Sequence, residues 1–479
     1  MRNIYGVIIS YIYILLVLGL VSLYAKKQKG DPEIPRKLIH ILVGNWVFLT
    51  PIFTAWWALA IVPLNSLLVN TLNRKYRFIP AMERQDDGFG TIYYAISMLI
   101  LTSAAFFLKW PTLSFVGLLI MVYGDGLAAI VGKRWGKRRP FPFAPEKTLL
   151  GSAVVTGLAF VITLVCLLVF QGQGALRAAD TPTVLLIALL TAALSGFIEL
   201  TGKEGCDNLS LPVGAGLFAT LCLQFGETGL YVFLLMCLVI LWLALRWQVI
   251  TATGAVAALL SGQTLYALGG AWLGASLLAF FLIGSVASKL KNNQKKAAEA
   301  LQAPGSARSW KQVLSNSLPA GVLVWLAYGL GDHRLILPAF AVFAAAAADT
   351  LSSEYGMLSN GQVFSIINGK PLPRGLSGGV TWIGLMAGIM GSGMLSLFAL
   401  PQFGIKGFIL CGLLGFVGTL IDSLLGALLQ AKYEGPDGRI QEVPVHEGDP
   451  VLSGFPLVTN SAVNLITLSV VAALGVLLL

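Results

Sequence analysis

Charge is what this sequence has least of. Asp, Glu, Lys and Arg make up 11% of its 479 residues, while 56% are hydrophobic and the mean hydropathy is +0.80. A water-soluble globule coats itself with about a quarter of charged residues, so a soluble domain is excluded. Histidine is nearly absent: His40, His333 and His446 stand far apart, which argues against a histidine-built metal cluster. The five cysteines, Cys166, Cys206, Cys222, Cys237 and Cys411, are scattered without metal-ligand spacing and are given no chemistry. There is no G-x-x-x-x-G-K-[ST] phosphate loop and no soluble protein-kinase motif set, so any phosphoryl transfer here needs another scaffold.

What is present instead is long apolar runs. Residues 148–176, 247–288, 375–405 and 451–479 contain no Asp, Glu, Lys or Arg. Each is long enough for one or two spans of about 20 residues. The whole chain reads as an all-α, polytopic transmembrane helix bundle with roughly 14–16 spanning or half-spanning helices. The first, about 4–24, lacks a basic start and a small-residue cleavage site, and is expected to be a retained anchor rather than a removed signal.

The few charges are unevenly placed. Formal net charge is +10, and the cations gather in KKQKGDPEIPRK (26–37), NRKYR (73–77), KRWGKRR (133–139), KLKNNQKK (289–296) and around Lys311. By the positive-inside rule these loops face the cytoplasm of a cell-membrane protein, with both termini outside. Contact with anionic membrane lipid is one use for such loops, and phosphate binding is another. No nucleic-acid partner is expected, and the sequence is silent on oligomeric state.

Carboxylates in or beside the apolar segments are rarer and more informative. They are Asp125 in YGDGLAAIVG, Glu199 and Asp207 in IELTGKEGCDNLSLP, Asp349 and Glu354 in AADTLSSEYG, and Asp422 in GTLIDSLLGALLQ. A carboxylate in hydrocarbon costs a few kcal/mol or more, so each needs a partner or a purpose. On the topology above, Asp125, Glu199, Asp207, Asp349 and Asp422 all fall near the cytoplasmic helix ends. Magnesium takes one or two carboxylates together with phosphate oxygens and water, lysine and arginine neutralise the remaining phosphate charge, and glycine admits a close backbone. A nucleotide with its Mg fits that inventory.

The chain also reads as two related halves, divided as 1–225 and 226–479. GDGLAAIVG (124–132) and ADTLSSEYG (348–356) share an Asp, a Leu and a closing Gly in register. Each precedes a Pro-plus-cation stretch, PEKTLLG (145–151) and PLPRGLSGG (371–379), and then a further acidic motif, CDNLSLP and IDSLLGA.

Over about 30–215, RKLIH (36–40), GTIYY (90–94), GDGLAAIVGKRWG (124–136), EKTLLG (146–151) and DNLSLP (207–212) resemble, in the same order, the polyprenol, dolichol and phytol kinase family. Leu150 stands where that family's Lys-Ser-x-Glu-Gly motif carries its acid. Over about 250–479, RSWKQVLSNS (308–317), ADTLSSEYG, PLPRGLSGGVTWIG (371–384) and GTLIDSLLGALLQAKY (418–433) are similar to the membrane family that includes plant phytyl-phosphate kinase. The resemblance implies a fusion of consecutive steps, isoprenoid alcohol to monophosphate and monophosphate to diphosphate, with CTP as the typical donor.

On that reading Asp125 holds the metal in the first half, Asp207 with Asn208 supplies a second metal ligand or accepts the hydroxyl proton, Lys147 and Arg36 clamp phosphoryl oxygens, and His40 orients or deprotonates the alcohol. In the second half Asp349 and Asp422 are the metal candidates and Glu354 a base or ligand. Lys311, Gln312, Asn316 and Arg374 would bind nucleotide or prenyl phosphate. Ser377, Gly378 and Gly379 are expected to open a helix that receives a phosphate. The polar stretch 431–450 is expected to be a lid or a plain connector. Two other classes fit some of these features: a transporter built from duplicated halves with broken helices, and a phosphatidate cytidylyltransferase-like enzyme.

Overall fold

The computed structural model describes residues 1–27, 33–76, 88–141, 144–202, 205–290, 292–299, 307–435, 440–442, 444, 446 and 449–479. Parts of the basic loops and of the 431–450 stretch therefore lie outside the described residues. The chain divides into two compact units, Met1–Gly226 and Glu227–Leu479. Among the described residues twelve helical segments are long and apolar enough to cross a membrane. One of them, Trp382–Leu429, contains two helices, and two further helices reach 21 and 18 residues. The protein is an all-α, multi-pass integral membrane protein.

Unit 1 runs α1 (Arg2–Lys27), α2 (Glu33–Gly44), α3 (Trp56–Tyr76), α4 (Gly90–Leu108), α5 (Pro111–Leu119), α6 (Gly126–Trp135), α7 (Leu149–Phe170), α8 (Thr181–Thr201) and α9 (Asp207–Phe225). Its axis is the segment from Pro111 to Trp135, where Val116, Leu118, Ile120, Met121 and Val122 are fully buried. Between α5 and α6 the helix widens into a π-turn over Ile120–Asp125. Such widened turns recur at functional sites, because they rotate the following side chains out of the regular register. Here the rotated residue is Asp125. Helices α5 and α9 cross closely on glycines: a β-carbon on Gly117 would run into the Pro212 carbonyl, and one on Gly216 into the Leu113 carbonyl. Within a bilayer, helices associate through such close packing of small residues. Gly216→Ala is accordingly expected to destabilise the protein by about 1–3 kcal/mol, the usual cost of overpacking. Thermal unfolding of the detergent-solubilised variant would show it, and an unchanged midpoint would refute the crossing.

Unit 2 runs α10 (Thr228–Arg246), α11 (Ala252–Gly269), α12 (Ala271–Lys289), α13 (Asn293–Glu299), α14 (Trp310–Leu330), α15 (Ile336–Leu358), α16 (Trp382–Ser396), α17 (Leu400–Leu429) and α18 (Asn460–Leu477). Its hub is α15, whose alanine run Ala344–Ala348 is buried. Small residues again allow the approach. A β-carbon on Gly391 of α16 would stand 2.9 Å from the Ala347 carbonyl, and one on Gly418 of α17 would stand 2.6 Å from Ala345 Cβ. Helix α17 is broken at Gly404, whose φ of +63° only glycine adopts readily. Two short antiparallel pairs, β1 (Phe364–Ser365) with β2 (Gly379–Val380) and β3 (Tyr433–Glu434) with β4 (Ile440–Gln441), brace the polar loops.

Candidate active site

In unit 1 the polar residues of four separate sequence motifs converge. Lys37, on the buried face of α2, donates to Asp125 Oδ2 at 2.7 Å and approaches the Asp125 carbonyl at 3.5 Å. His40, one turn further along α2, brings Nε2 to 3.5 Å from the same carboxylate and 3.2 Å from the Met121 carbonyl. Both neighbours of Nε2 are acceptors, so in the neutral ring that nitrogen carries the proton and Nδ1 is the acceptor. Tyr94 donates to the His40 carbonyl at 3.0 Å and its ring lies 4.8 Å from the imidazole, fixing α2 against α4.

Lys147 stands in the loop before α7. Its ammonium pairs with Glu199 at the end of α8 and lies 3.6 Å from Asp207 Oδ2 at the start of α9. Burial by itself would lower the Lys147 pKa; Glu199 and Asp207 outweigh it and hold the group above the ordinary lysine value. Thr148 next to it caps α7 by accepting from Gly151 N at 3.1 Å, which fixes where the lysine leaves the helix.

Oxygens of Asp125, Glu199 and Asp207 lie within 4.8 Å of one another. Counted as fully ionised, three carboxylates face two ammonium groups, Lys37 and Lys147, a formal excess of one negative charge. Glu199 Oε2 is buried and has no hydrogen-bond partner, although the Glu199 side chain is 6% exposed. An all-oxygen donor set with spare negative charge and an unpartnered buried oxygen fits a hard divalent cation such as Mg.

A cavity of about 290 Å³ adjoins this cluster, between α1, α2, α3 and α4. Arg36, His40 and Asn208 line it on one side, and the remaining wall is mainly aliphatic and aromatic, with Asn65, Ser66, Asn70 and Thr91 of α3 and α4 among its polar members. Glu33 holds one end of the Arg36 guanidinium, while Arg36 Nε and Asn208 Oδ1 are buried without partners.

Unit 2 gathers a smaller set. The carboxyl groups of Asp349 on α15 and Asp422 on α17 hydrogen-bond to each other. Thr467 on α18 donates to Asp422 Oδ1 at 3.1 Å. One turn earlier on α18, Asn464 donates to Asn316 Oδ1 on α14 at 3.3 Å. Two carboxyls in that relation require a shared proton or a cation between them.

Other residues expected at this second site are placed differently. Glu354 is paired with Lys295 at 2.5 Å and accepts from Ser288 Oγ at 2.5 Å. Arg374 caps the end of α15, donating to the carbonyls of Gly356 at 2.9 Å and of Ser359 and Gly361. Gln312 completes a capping box with Ser309 at the start of α14, and Lys311 beside it is exposed, 5.8 Å from the Trp310 ring. Gln312 and Asn316 also line a small apolar cavity with Arg308.

The Ser377–Gly379 expectation is corrected: the helix starts later, at Trp382, capped by Thr381, and Gly379 belongs to β2. Gly378, at φ +86°, is a turn residue packed on Ala427, not the first turn of a helix. The backbone N–H of Ser377 is taken by a carboxylate of the chain itself, Glu442 Oε1 at 2.6 Å, whose other oxygen accepts from Gln430 at 2.7 Å. Burial raises the Glu442 pKa above its usual range, against the lowering effect of those hydrogen bonds.

Sequence reading passed over Lys37 and Lys295. Lys37 sits three residues before His40, on one helix face with it, which was the available signal. Lys295 lies in a basic run that reads as solvated, and nothing local marks it as buried.

The architecture defines a class: a polytopic membrane protein with a buried carboxylate–ammonium centre beside an apolar cavity. Within that class, the chain is 32% identical over 194 residues to the phytol kinase of Synechocystis sp. (strain ATCC 27184 / PCC 6803 / Kazusa), covering 39% of this chain and 78% of that protein. It is 31% identical over 235 residues to Protein PGR of Arabidopsis thaliana, covering 43% and 81%, and 28% identical over 233 residues to Phytol kinase 1, chloroplastic, of the same plant, covering 44% and 72%. Residues 235–472 match the family described as Integral membrane protein DUF92. No solved structure gives a significant match. The chain belongs to the family of integral membrane proteins that includes the Synechocystis phytol kinase.

Proposed function

We propose that this protein is a membrane kinase that transfers a nucleotide's terminal phosphoryl group to an isoprenoid alcohol of the phytol, farnesol or geranylgeraniol class. The observation that carries the reading is the meeting of Asp125, Glu199 and Asp207 with Lys147 next to His40 and Asn208, two residues that line a largely apolar cavity. Phosphoryl transfer asks a protein chiefly for positioning and charge neutralisation. The three carboxylates would hold Mg, which would supply positive charge to neutralise the nucleotide phosphates. Lys147, kept cationic by its acidic neighbours, supplies positive charge to the transferred group. His40, its Nε2 proton directed at Asp125 and Met121, is oriented to accept the hydroxyl proton at Nδ1.

In the same reading unit 2 carries the second phosphorylation, monophosphate to diphosphate, with Asp349 and Asp422 at its centre. Both centres lie on the cytoplasmic side and CTP is the donor. The test is product analysis by thin-layer chromatography, using purified full-length protein with Mg, radiolabelled CTP or ATP, and phytol, farnesol or geranylgeraniol. Prenyl monophosphate and diphosphate with release of nucleoside diphosphate are expected. Release of pyrophosphate, or no labelled lipid with any alcohol, sinks the proposal. Asp349→Asn is expected to stop the sequence at monophosphate; equal loss of both products in that variant would remove the two-centre assignment.

A further inference from the structure

We infer that the cavity between α1 and α4 is the acceptor's binding site, that Arg36 and Asn208 receive its hydroxyl, and that Met98 and Val62 set the chain length it encloses. The inference rests on the kinase reading for the identity of the acceptor, and its own evidence is the shape and polarity of the cavity. The end at Arg36 and Asn208 offers one unpartnered donor, Arg36 Nε, and one unpartnered acceptor, Asn208 Oδ1, both buried. Asn208 as a whole is 8% exposed. A buried polar atom left without a partner costs free energy, so the pair marks a place that a ligand completes. An alcohol is the small group that satisfies both at once in the bound ground state, because its oxygen accepts one hydrogen bond while its proton makes another; for transfer that single proton turns from Asn208 to His40. A carboxylate or a free phosphate would meet Arg36 but would set its charge against the oxygen of Asn208.

From that end the cavity is lined along α4 from Thr91 to Met98, with side chains of α1 and α3 forming the facing wall. Seven residues of helix rise make this about 10 Å. Met98 and Val62 are 1% and 2% exposed and stand at the end away from Arg36. The Tyr11–Asn65 hydrogen bond, 3.0 Å, ties α1 to α3 beside them. Such a depth encloses the isoprene units nearest the hydroxyl and leaves the rest of a long chain to run between α1 and the lipid. The lipid-exposed flank of α1, with Ile8, Leu15 and Leu16 outward, suits that exit. A hydroxyl held at Arg36 and Asn208 is also held beside His40 and the acidic cluster, which places the nucleophile without any contact to its tail.

The test uses the full-length protein and two measurements. Filling the deep end with Met98→Trp or Val62→Trp is expected to lower kcat/KM for geraniol, geranylgeraniol and phytol about tenfold or more, while prenol, with a single isoprene unit that does not reach it, changes less than about threefold. Met98→Ala moves the ratio the other way. Asn208→Leu is expected to raise KM for every alcohol about tenfold and leave KM for the nucleotide unchanged. Uniform loss across chain lengths, prenol included, or a nucleotide KM that rises in step, overturns the inference. Because a tryptophan in a packed wall can prevent folding, the second measurement is photolabelling of the unmutated protein with a diazirine analogue of farnesol. Label on residues 11–18, 62–70 or 91–98, competed by unlabelled farnesol, supports the site; label confined elsewhere overturns it. Specific labelling without turnover would count against the kinase reading and not against the site. Turnover with labelling elsewhere would do the reverse.

Discussion

Asp125→Asn is expected to lower alcohol phosphorylation by about two to three orders of magnitude, the usual loss when one preorganised charge is taken from a water-poor centre. The amide keeps the shape and one acceptor but removes the negative charge that Lys37 and His40 face. Two consequences combine. The oxygen cluster loses the excess negative charge that suits a divalent cation, and Lys37, 6% exposed, is left as a buried cation without its counter-ion. A stability measurement on the same sample separates them. The double variant Asp125→Asn with Lys37→Met is expected to recover stability and not activity, because it removes the stranded charge without restoring a ligand. Activity within threefold of the unmutated protein in the single variant would show that Asp125 is an internal ion-pair partner and nothing more.

Lys295→Met is expected to cost about 3–5 kcal/mol, the range seen when one member of a buried ion pair is deleted. Lys295 is fully buried, pairs with Glu354 at 2.5 Å, and donates to the carbonyls of Leu290 at 2.8 Å, Ser288 at 3.1 Å and Ala287 at 3.3 Å. It thus closes the end of α12, where the last carbonyls have no partner within the helix and the dipole favours a cation. Glu354→Gln together with Lys295→Met should return part of the loss, since the uncompensated carboxylate goes while the open carbonyls stay. Denaturation followed by tryptophan fluorescence would measure both. A single variant within about 1 kcal/mol of the parent would mean that water replaces the lysine at no net cost.

The two lysines show where sequence reading stops. Asp125, Asp207, Asp349 and Asp422 stand out in the sequence because a carboxylate in an apolar helix is expensive, and expense is a local property. Lys37 and Lys295 do not stand out, because both sit in loops or helix starts already rich in cations. Their burial depends on which helix packs over them. The Ser377–Gly379 stretch fails for a related reason. Its glycines and preceding proline suit a helix start, yet Glu442, sixty-five residues away, takes the Ser377 N–H. Glu199 lies between: its cost is visible in the sequence, and its neighbours are not.

By itself the sequence determined that the protein is helical and crosses a membrane many times, because span length and the scarcity of charge are additive along the chain. It also marked the acids that need partners. Tertiary structure alone decided which acids meet: Asp125 with Glu199 and Asp207 through a π-turn and two helix ends, Asp349 with Asp422 across α15 and α17. The reason is geometric. A carboxylate's partner is chosen by helix rotation and crossing, set by glycines and alanines in contact, and a shift of one residue turns a side chain by about 100° around its helix.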